Sequence, residues 1–292
     1  MSEWLRKKMF RRTVCVLTAI CLTCMIALKN PIFFAKENES ATVVILMYHS
    51  LLKDPARHGK YVVSPDLFES DLKYLKELGY SFVGIQELID FVYSGAPLPK
   101  KSVVITFDDG YYNNYLYAYP LLEKYDAKMV ISVIGKYTDL YDGEKPNAYY
   151  SHVTWDMINE MLASGRVEIG NHTYSMHTNG ERRGSKKIKG ETDEHYSKIL
   201  TEDIGKLQAE MFEHTGTYPS VYTYPFGAIS NASFGIIADM GFLASLSCAE
   251  KPSTVTRGKP ESLRCLGRFL RPTKISSADF FEKKINIEEL FE

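Results

Sequence analysis

From position 42 onward the chain alternates between short apolar runs and longer segments in which apolar residues recur every three or four positions. The runs TVVILMYH (42–49), SFVGI (81–85), SVVITF (102–107), KMVISVI (128–134), RVEIGN (166–171), SVYTYP (220–225) and FLASLS (242–247) predict strands. Most are continuously apolar, the pattern of a sheet covered on both faces. Helical spacing fills the gaps. SPDLFESDLKYLKELGY carries Ser64 as N-cap, Pro65 in the first turn, Phe68, Leu72 and Leu75 on one face, and Gly79 as the stop. IQELIDFVYSG, YAYPLLEKYD, TWDMINEMLASG, the stretch from Thr192 to about His214, and ASFGIIADMG predict further helices. Each supplies the crossover that a parallel strand requires. Seven or eight β/α units over about 250 residues predict an α/β fold: a (β/α)7–8 barrel of the TIM-like kind, incomplete or distorted. An open doubly wound sheet is the alternative architecture.

The first 35 residues break this rhythm. MSEWLRKKMFRRTVCVLTAICLTCMIALKNPIFF has a basic start and then sixteen uncharged, mostly apolar residues from Thr13 to Leu28. That layout predicts a signal anchor, or a cleaved signal peptide, with the basic end cytoplasmic. Residues 36–41 (KENESA) read as a polar tether, and residues 42–292 as a folded domain outside the membrane. The segment also holds six of the 35 basic residues against one acid, which leaves the rest of the chain at −6. That balance argues against a nucleic-acid partner. Three of the five cysteines fall in the same segment; Cys248 and Cys265 are left either to pair in an oxidising compartment or to remain core thiols. ERRGSKKIKGE (181–191) is a basic loop, read as a solvated excursion rather than a contact for an anionic polymer.

The end of the third predicted strand carries the first sign of chemistry. TFDDG places Asp108 and Asp109 side by side, His172 and His177 follow the fifth strand in EIGNHTYSMH, YPFG (224–227) ends the sixth, and His49 in MYHS ends the first. In a barrel, side chains just past the strand C-termini converge on one face. Five residues along a helix would set the two histidines ~140° apart, so they are no helical metal pair. On a loop both imidazoles can turn to one ion. Two His and one Asp form a three-ligand set for Zn²⁺ or a similar divalent metal, with one position left for water.

TFDDG, NHTYSMH and YPFG, in this order, resemble the motifs of metal-dependent polysaccharide deacetylases with the NodB-type domain, the carbohydrate esterase family 4 kind. MYHS resembles the branch that includes poly-N-acetylglucosamine deacetylases. The resemblance runs from about Val43 to Arg271. It implies that Asp109, His172 and His177 bind the metal (Zn²⁺, with Co²⁺, Ni²⁺ or Mn²⁺ as substitutes) and that Asp108 is the base that takes a proton from water. Two acids at one strand end then have different jobs, because a carboxylate free of the metal accepts the proton. The resemblance also implies an oxyanion and substrate-binding role for Phe226 with Tyr224 and Gly227, and a loop-securing hydrogen bond from the Thr173 hydroxyl. Two departures matter. The family's late catalytic histidine has no counterpart after His214, so His49 takes the acid role, and the Arg that orients the catalytic Asp is replaced by Thr223, with Arg268 the candidate substitute.

Tyr111 and Tyr112, Tyr137 and Tyr141, and then Tyr149, Tyr150 and Trp155 crowd the expected mouth, and Tyr111 is the foremost candidate for a sugar-stacking ring. His152 and His195 read as solvent or loop residues. The expected activity is removal of acetyl groups from N-acetylated amino sugars in an extracellular polysaccharide, poly-N-acetylglucosamine first and peptidoglycan second. A non-catalytic glycan-binding module with a relic metal site is the alternative. A Mg²⁺-dependent phosphotransferase is disfavoured by the paired histidines and by the lack of a phosphate-cradling loop.

Overall fold

The computed structural model describes residues 39–291. The expected signal anchor or signal peptide (residues 1–35) lies outside the described residues, as do residues 36–38 of the tether. Among the described residues no helix is long and apolar enough to cross a membrane. In chain order the elements are β1 (Ser40–Tyr48), β2 (Ser50–Leu51), β3 (Val62–Val63), α1 (Pro65–Glu77), β4 (Ser81–Phe82), α2 (Ile85–Tyr93), β5 (Ser102–Phe107), α3 (Tyr119–Lys124), β6 (Met129–Val133), α4 (Gly135–Tyr141), α5 (Trp155–Ala163), β7 (Val167–Asn171), α6 (Asp193–Thr215), β8 (Val221–Thr223), α7 (Ser233–Asp239), β9 (Ala244–Leu246), β10 (Ser253–Thr256) and β11 (Phe269–Leu270).

Every apolar run of the sequence becomes a strand of one sheet, ordered β1-β5-β6-β7-β8-β9 and parallel throughout this path. Strand β4 pairs with the start of β5, and β10 lies antiparallel to β1. The sheet curls. Leu246, at the end of β9, bridges Leu266 in parallel, and β11 just beyond pairs in parallel with Leu46 and Met47 of β1. The result is an α/β fold with a half-barrel sheet, consistent with the (β/α)7–8 expectation and unlike the flat doubly wound alternative.

Period-two alternation then decides what each face carries. Val44, Leu46 and Tyr48 of β1 face outward with Val103, Ile105 and Phe107 of β5, where α1 covers them with Phe68, Leu72 and Leu75. Full burial of such side chains contributes about 1.5–3 kcal/mol each. The α1 N-terminus is capped as the sequence predicts, by Ser64 Oγ accepting from Leu67 N at 3.0 Å. Val43 and Ile45 of β1 and Val104 of β5 face the other way, against Leu88, Ile89 and Val92 of α2. Continuing that inner row along the same strands gives Met47 and His49, then Thr106 and Asp108. The polar ends of the inner face are therefore set by strand register.

A buried ion pair fixes the C-terminal segment to this frame. Arg271 donates from Nε and Nη2 to the Asp71 carboxylate of α1 at 2.8 and 2.9 Å, and the same carboxylate accepts from Tyr48 and Ser277. Arg271 N also donates to Met47 O. The segment that joins the sheet ends is thereby held in one register three residues beyond Arg268.

Candidate functional site

Strand ends β1, β5 and β7 and the turn after β8 open into a cavity of about 680 Å³, lined among others by His49, Asp108, Asp109, Tyr111, His172, His177 and Phe226. Asp109, His172 and His177 each offer a donor atom, all within 4.8 Å of one another. Asp109 Oδ1 lies 3.3 Å from His177 Nε2 and 3.6 Å from His172 Nε2, and it is buried without a hydrogen-bond partner. His172 Nδ1 donates to Thr223 O at 2.8 Å. That bond puts a proton on Nδ1 and turns Nε2 toward Asp109, the orientation that metal-ligating histidines take. Burial works against the charged ring, but Asp109 and Asp108 prevail and raise the His172 pKa, so an ion bound here must displace the Nε2 proton. Burial, helped by neighbouring His172, pushes His177 down to about 4, so its imidazole is neutral at neutral pH, as a ligand must be.

Backbone geometry aims these groups. Asp109 (φ 70), Thr173 (φ 74) and Phe226 (φ 57) are all left-handed non-glycine residues. Each such conformation costs roughly 1–3 kcal/mol and persists only where the surroundings enforce it. The enforcement after β7 is visible: Asn171 Oδ1 accepts from Thr173 N, and Asp203 of α6 accepts from Tyr174 N, Ser175 N and Ser175 Oγ. The expected Thr173 tether is corrected here, because its hydroxyl is buried without a partner. Asn171 and Asp203 do that work. Asn171, flanking the first histidine, was the readable signal; Asp203 is distant in sequence and carried none.

Asp108 is held differently. Its two oxygens accept from Arg268 Nη1 and Nη2 at 2.7 and 2.9 Å, while Arg268 Nε donates to Ser247 O at 2.8 Å and Nη1 also reaches Thr106 Oγ1 at 3.1 Å. Arg268 is wholly buried. Burial would push the Asp108 carboxyl up, but the Arg268 charge and hydrogen bonds outweigh it and hold it well below the usual carboxylate range. Thr223, at the position of the family's Arg, instead pairs with Ser132 through the two hydroxyls at 2.7 Å. The guanidinium that meets Asp108 thus arrives from the segment joining the sheet ends.

His49 lines the same cavity, with its ring 4.8 Å from that of Tyr61. Burial lowers its pKa, against the pull of Asp108 and Asp109. The Phe226 ring packs 4.3 Å from His177, and Tyr111 lines the cavity beside Asp109. Two expected site residues are not brought there. Tyr224 is buried, with its hydroxyl on Ser233 Oγ at 2.8 Å, and turns into the core beneath α7. Gly227 serves the fold: a Cβ on it would stand 2.8 Å from Cys248 Cβ, so chain packing rather than ligand approach requires glycine.

Other expectations shift too. His152 is buried, not solvated, and its ring lies 4.6 to 5.5 Å from those of Tyr137, Tyr111 and Tyr141. Trp155 sits away from the mouth, stacked on His214 at 4.5 Å with its indole N–H on Asp139. His195 is exposed and pairs with Glu191. Cys248 and Cys265 are free thiols. Lys60, Arg183, Glu250 and Lys284 also line the cavity; Arg183 belongs to the basic loop read as a solvated excursion, and no sequence pattern marked the other three.

Comparison with known proteins gives relatives of the chain and of its fold. Residues 95–245 match the family described as polysaccharide deacetylase. The protein YxkH of Bacillus subtilis (strain 168) is 31% identical over 205 residues, covering 66% of this chain and 68% of its own length. The poly-beta-1,6-N-acetyl-D-glucosamine N-deacetylase of Escherichia coli (strain K12) is 23% identical over 220 residues, 68% of this chain. The chain spans about a third of the length of that relative, 33% of it being covered. Among solved structures, a de-N-acetylase from Aggregatibacter actinomycetemcomitans superposes with a TM-score of 0.70 at 25% identity, over 86% of this chain and 100% of that one.

Proposed function

The chain belongs to the polysaccharide deacetylase family, and from that premise we propose that it hydrolyses the N-acetyl groups of amino sugars in a polysaccharide, releasing acetate. The observation that carries the reading is the pairing, in one cavity, of a three-donor set (Asp109, His172, His177) with a second carboxylate, Asp108, that stands outside it. The donor set fits a divalent metal: an unpartnered buried carboxylate oxygen faces two imidazoles, one with its orientation fixed. Two nitrogens and one oxygen suit Zn²⁺ best, with Co²⁺, Ni²⁺ or Mn²⁺ as alternatives. A divalent ion held there supplies Lewis acidity, polarising the acetamide carbonyl and lowering the pKa of water.

The protein's own residues divide the proton work. Asp108, kept ionised by Arg268, accepts a proton from the attacking water. Its Arg268 bonds use one acceptor site on each oxygen of about four in all, so capacity remains. His49, further along the inner row of β1, protonates the departing amine; its lowered pKa makes it a ready donor once charged. The balance is one amide and one water consumed, one acetate and one amine formed. The Phe226 backbone N–H is our candidate donor to the oxyanion, and Tyr111 our candidate surface for the sugar.

Poly-β-1,6-N-acetyl-D-glucosamine is the first substrate, supported by the name of the Escherichia coli relative, and peptidoglycan the second. The basic start and apolar run of residues 1–35 support a membrane-tethered domain outside the cytoplasm. A binding module with a relic site loses its main support, since Arg268 fills the role that Thr223 left open. The test is acetate release from β-1,6-linked N-acetylglucosamine oligomers, with and without a chelator. Chelator-sensitive release is expected; a full chain that holds metal yet releases no acetate from any N-acetylated glycan would overturn the proposal.

A further inference from the structure

The basic stretch 181–191 reads in the sequence as a solvated excursion, but the structure pins it at several points. Arg182 donates to Glu191 Oε1 at 2.5 Å and to Lys186 O at 2.8 Å, Lys187 N donates to Ser230 Oγ at 3.0 Å, and the Tyr196 hydroxyl donates to Ser185 O at 2.7 Å. Gly184 (φ 54) lies so tightly against the turn after β8 that a Cβ there would stand 2.8 Å from Pro225 O. This packing carries the neighbouring Arg183 onto the cavity wall, its guanidinium 5.8 Å from the centre of the Phe226 ring. Lys60 reaches the same cavity beside Tyr61, its ammonium 5.1 Å from that ring, and Tyr61 in turn packs on His49. A third cation of the wall, Lys284, is neutralised by Glu250 at 3.0 Å. Among the described residues neither Lys60 nor Arg183 has a carboxylate within 4.0 Å.

Two unpaired cations on the wall of a deacetylation site are unfavourable for a neutral polymer whose product is an ammonium ion, because like charges repel in a low-dielectric cleft. They are favourable for a polymer that brings negative charge of its own. We propose that Lys60 and Arg183 form an anion subsite that selects N-acetylhexosamine polymers bearing carboxylate or phosphate groups next to the sugar being processed. The inference moves the substrate away from the neutral poly-β-1,6-N-acetyl-D-glucosamine placed first above and toward anionic polymers; it rests on the deacetylase reading for the reaction, though not for the binding.

The test is binding of defined glycans to the metal-free full chain, followed by acetate release from the metal-loaded full chain. Three probes of matched length are compared at low salt: a neutral β-1,6-linked N-acetylglucosamine oligomer, a peptide-free glycan strand bearing lactyl carboxylates, and an N-acetylglucosamine oligomer joined through phosphodiesters. At least one anionic probe is expected to bind about tenfold tighter than the neutral one, the scale of a charge-assisted contact, and which one does so identifies the source of the anion. The preference should vanish in the double variant Lys60→Ala, Arg183→Ala and weaken with salt, while binding of the neutral oligomer stays as it was. Both side chains are exposed, so the variant should fold. Equal binding of all three probes, or a preference that survives in the double variant, would overturn the proposal. Acetate release from no probe at all would instead sink the deacetylase reading and leave the binding result to stand by itself.

Discussion

Two neighbouring aspartates differ here because two partners treat them differently. Asp109 takes a left-handed turn and points an unpartnered oxygen at two imidazoles, whereas Asp108 stays in the strand's inner row and is locked onto Arg268. Replacing Asp108 by Asn should keep the ion but cut turnover by about 10²–10⁴, the range lost with a general base, as acetate release and metal analysis will show. The same change leaves the buried Arg268 without its counter-charge, so chemical denaturation should show a loss of roughly 3–5 kcal/mol, the usual cost of halving a buried pair. Retention of most activity would show that Asp108 is not the base. The identities of both acids and both histidines were readable because strand ends, turn residues and spacing all point to one place. That Tyr224 turns inward was not, since an aromatic beside a proline carries no mark of which way its ring faces.

At the scale of elements, apolar runs predicted the strands well, because strands buried on both faces have few alternatives. The missing pieces, β2, β3, β10 and β11, are two to four residues long and their segments mix apolar with charged or small residues, so no run announces them. The basic loop was misjudged for a related reason: charge suggests solvent, and only the fold reveals that Glu191 is there to hold it. Burial pushes the Glu191 carboxyl up, but Arg182, Ile188 N and His195 prevail and bring it down to about 2. A folded value below the ordinary one contributes stability above the ordinary carboxylate pKa, and that contribution is lost as pH falls toward about 2. Hydrogen-exchange protection of residues 182–190 should therefore be present at pH ~6 and decline below pH ~4. In Glu191→Gln protection should be weak at both pH values; a variant as protected as the wild type would refute the anchor.

For the whole molecule, the site is assembled from the first strand, the middle of the sheet and the segment that joins its ends. Arg268 and Arg271 belong to that last segment, one turned to Asp108 and the other to Asp71. Asp71→Asn should cost about 3–5 kcal/mol by stranding Arg271, and it should also lower turnover by loosening the register that delivers Arg268; unchanged kinetics in a folded variant would separate the two networks. Such coupling is invisible to sequence patterns, since Asp71 and Arg271 lie 200 positions apart. The meeting of His49, at the start of the domain, with Arg268, near its end, in one site makes sense only once the sheet curls β11 back onto β1.

The central claim is that Asp109, His172 and His177 grip one divalent ion beside Asp108. Elemental analysis of the purified full chain and of Asp109→Ala tests it most directly: one ion per chain in the wild type and almost none in the variant is the predicted result. A wild-type chain that takes up no divalent metal, or a variant that keeps its full complement, would contradict it.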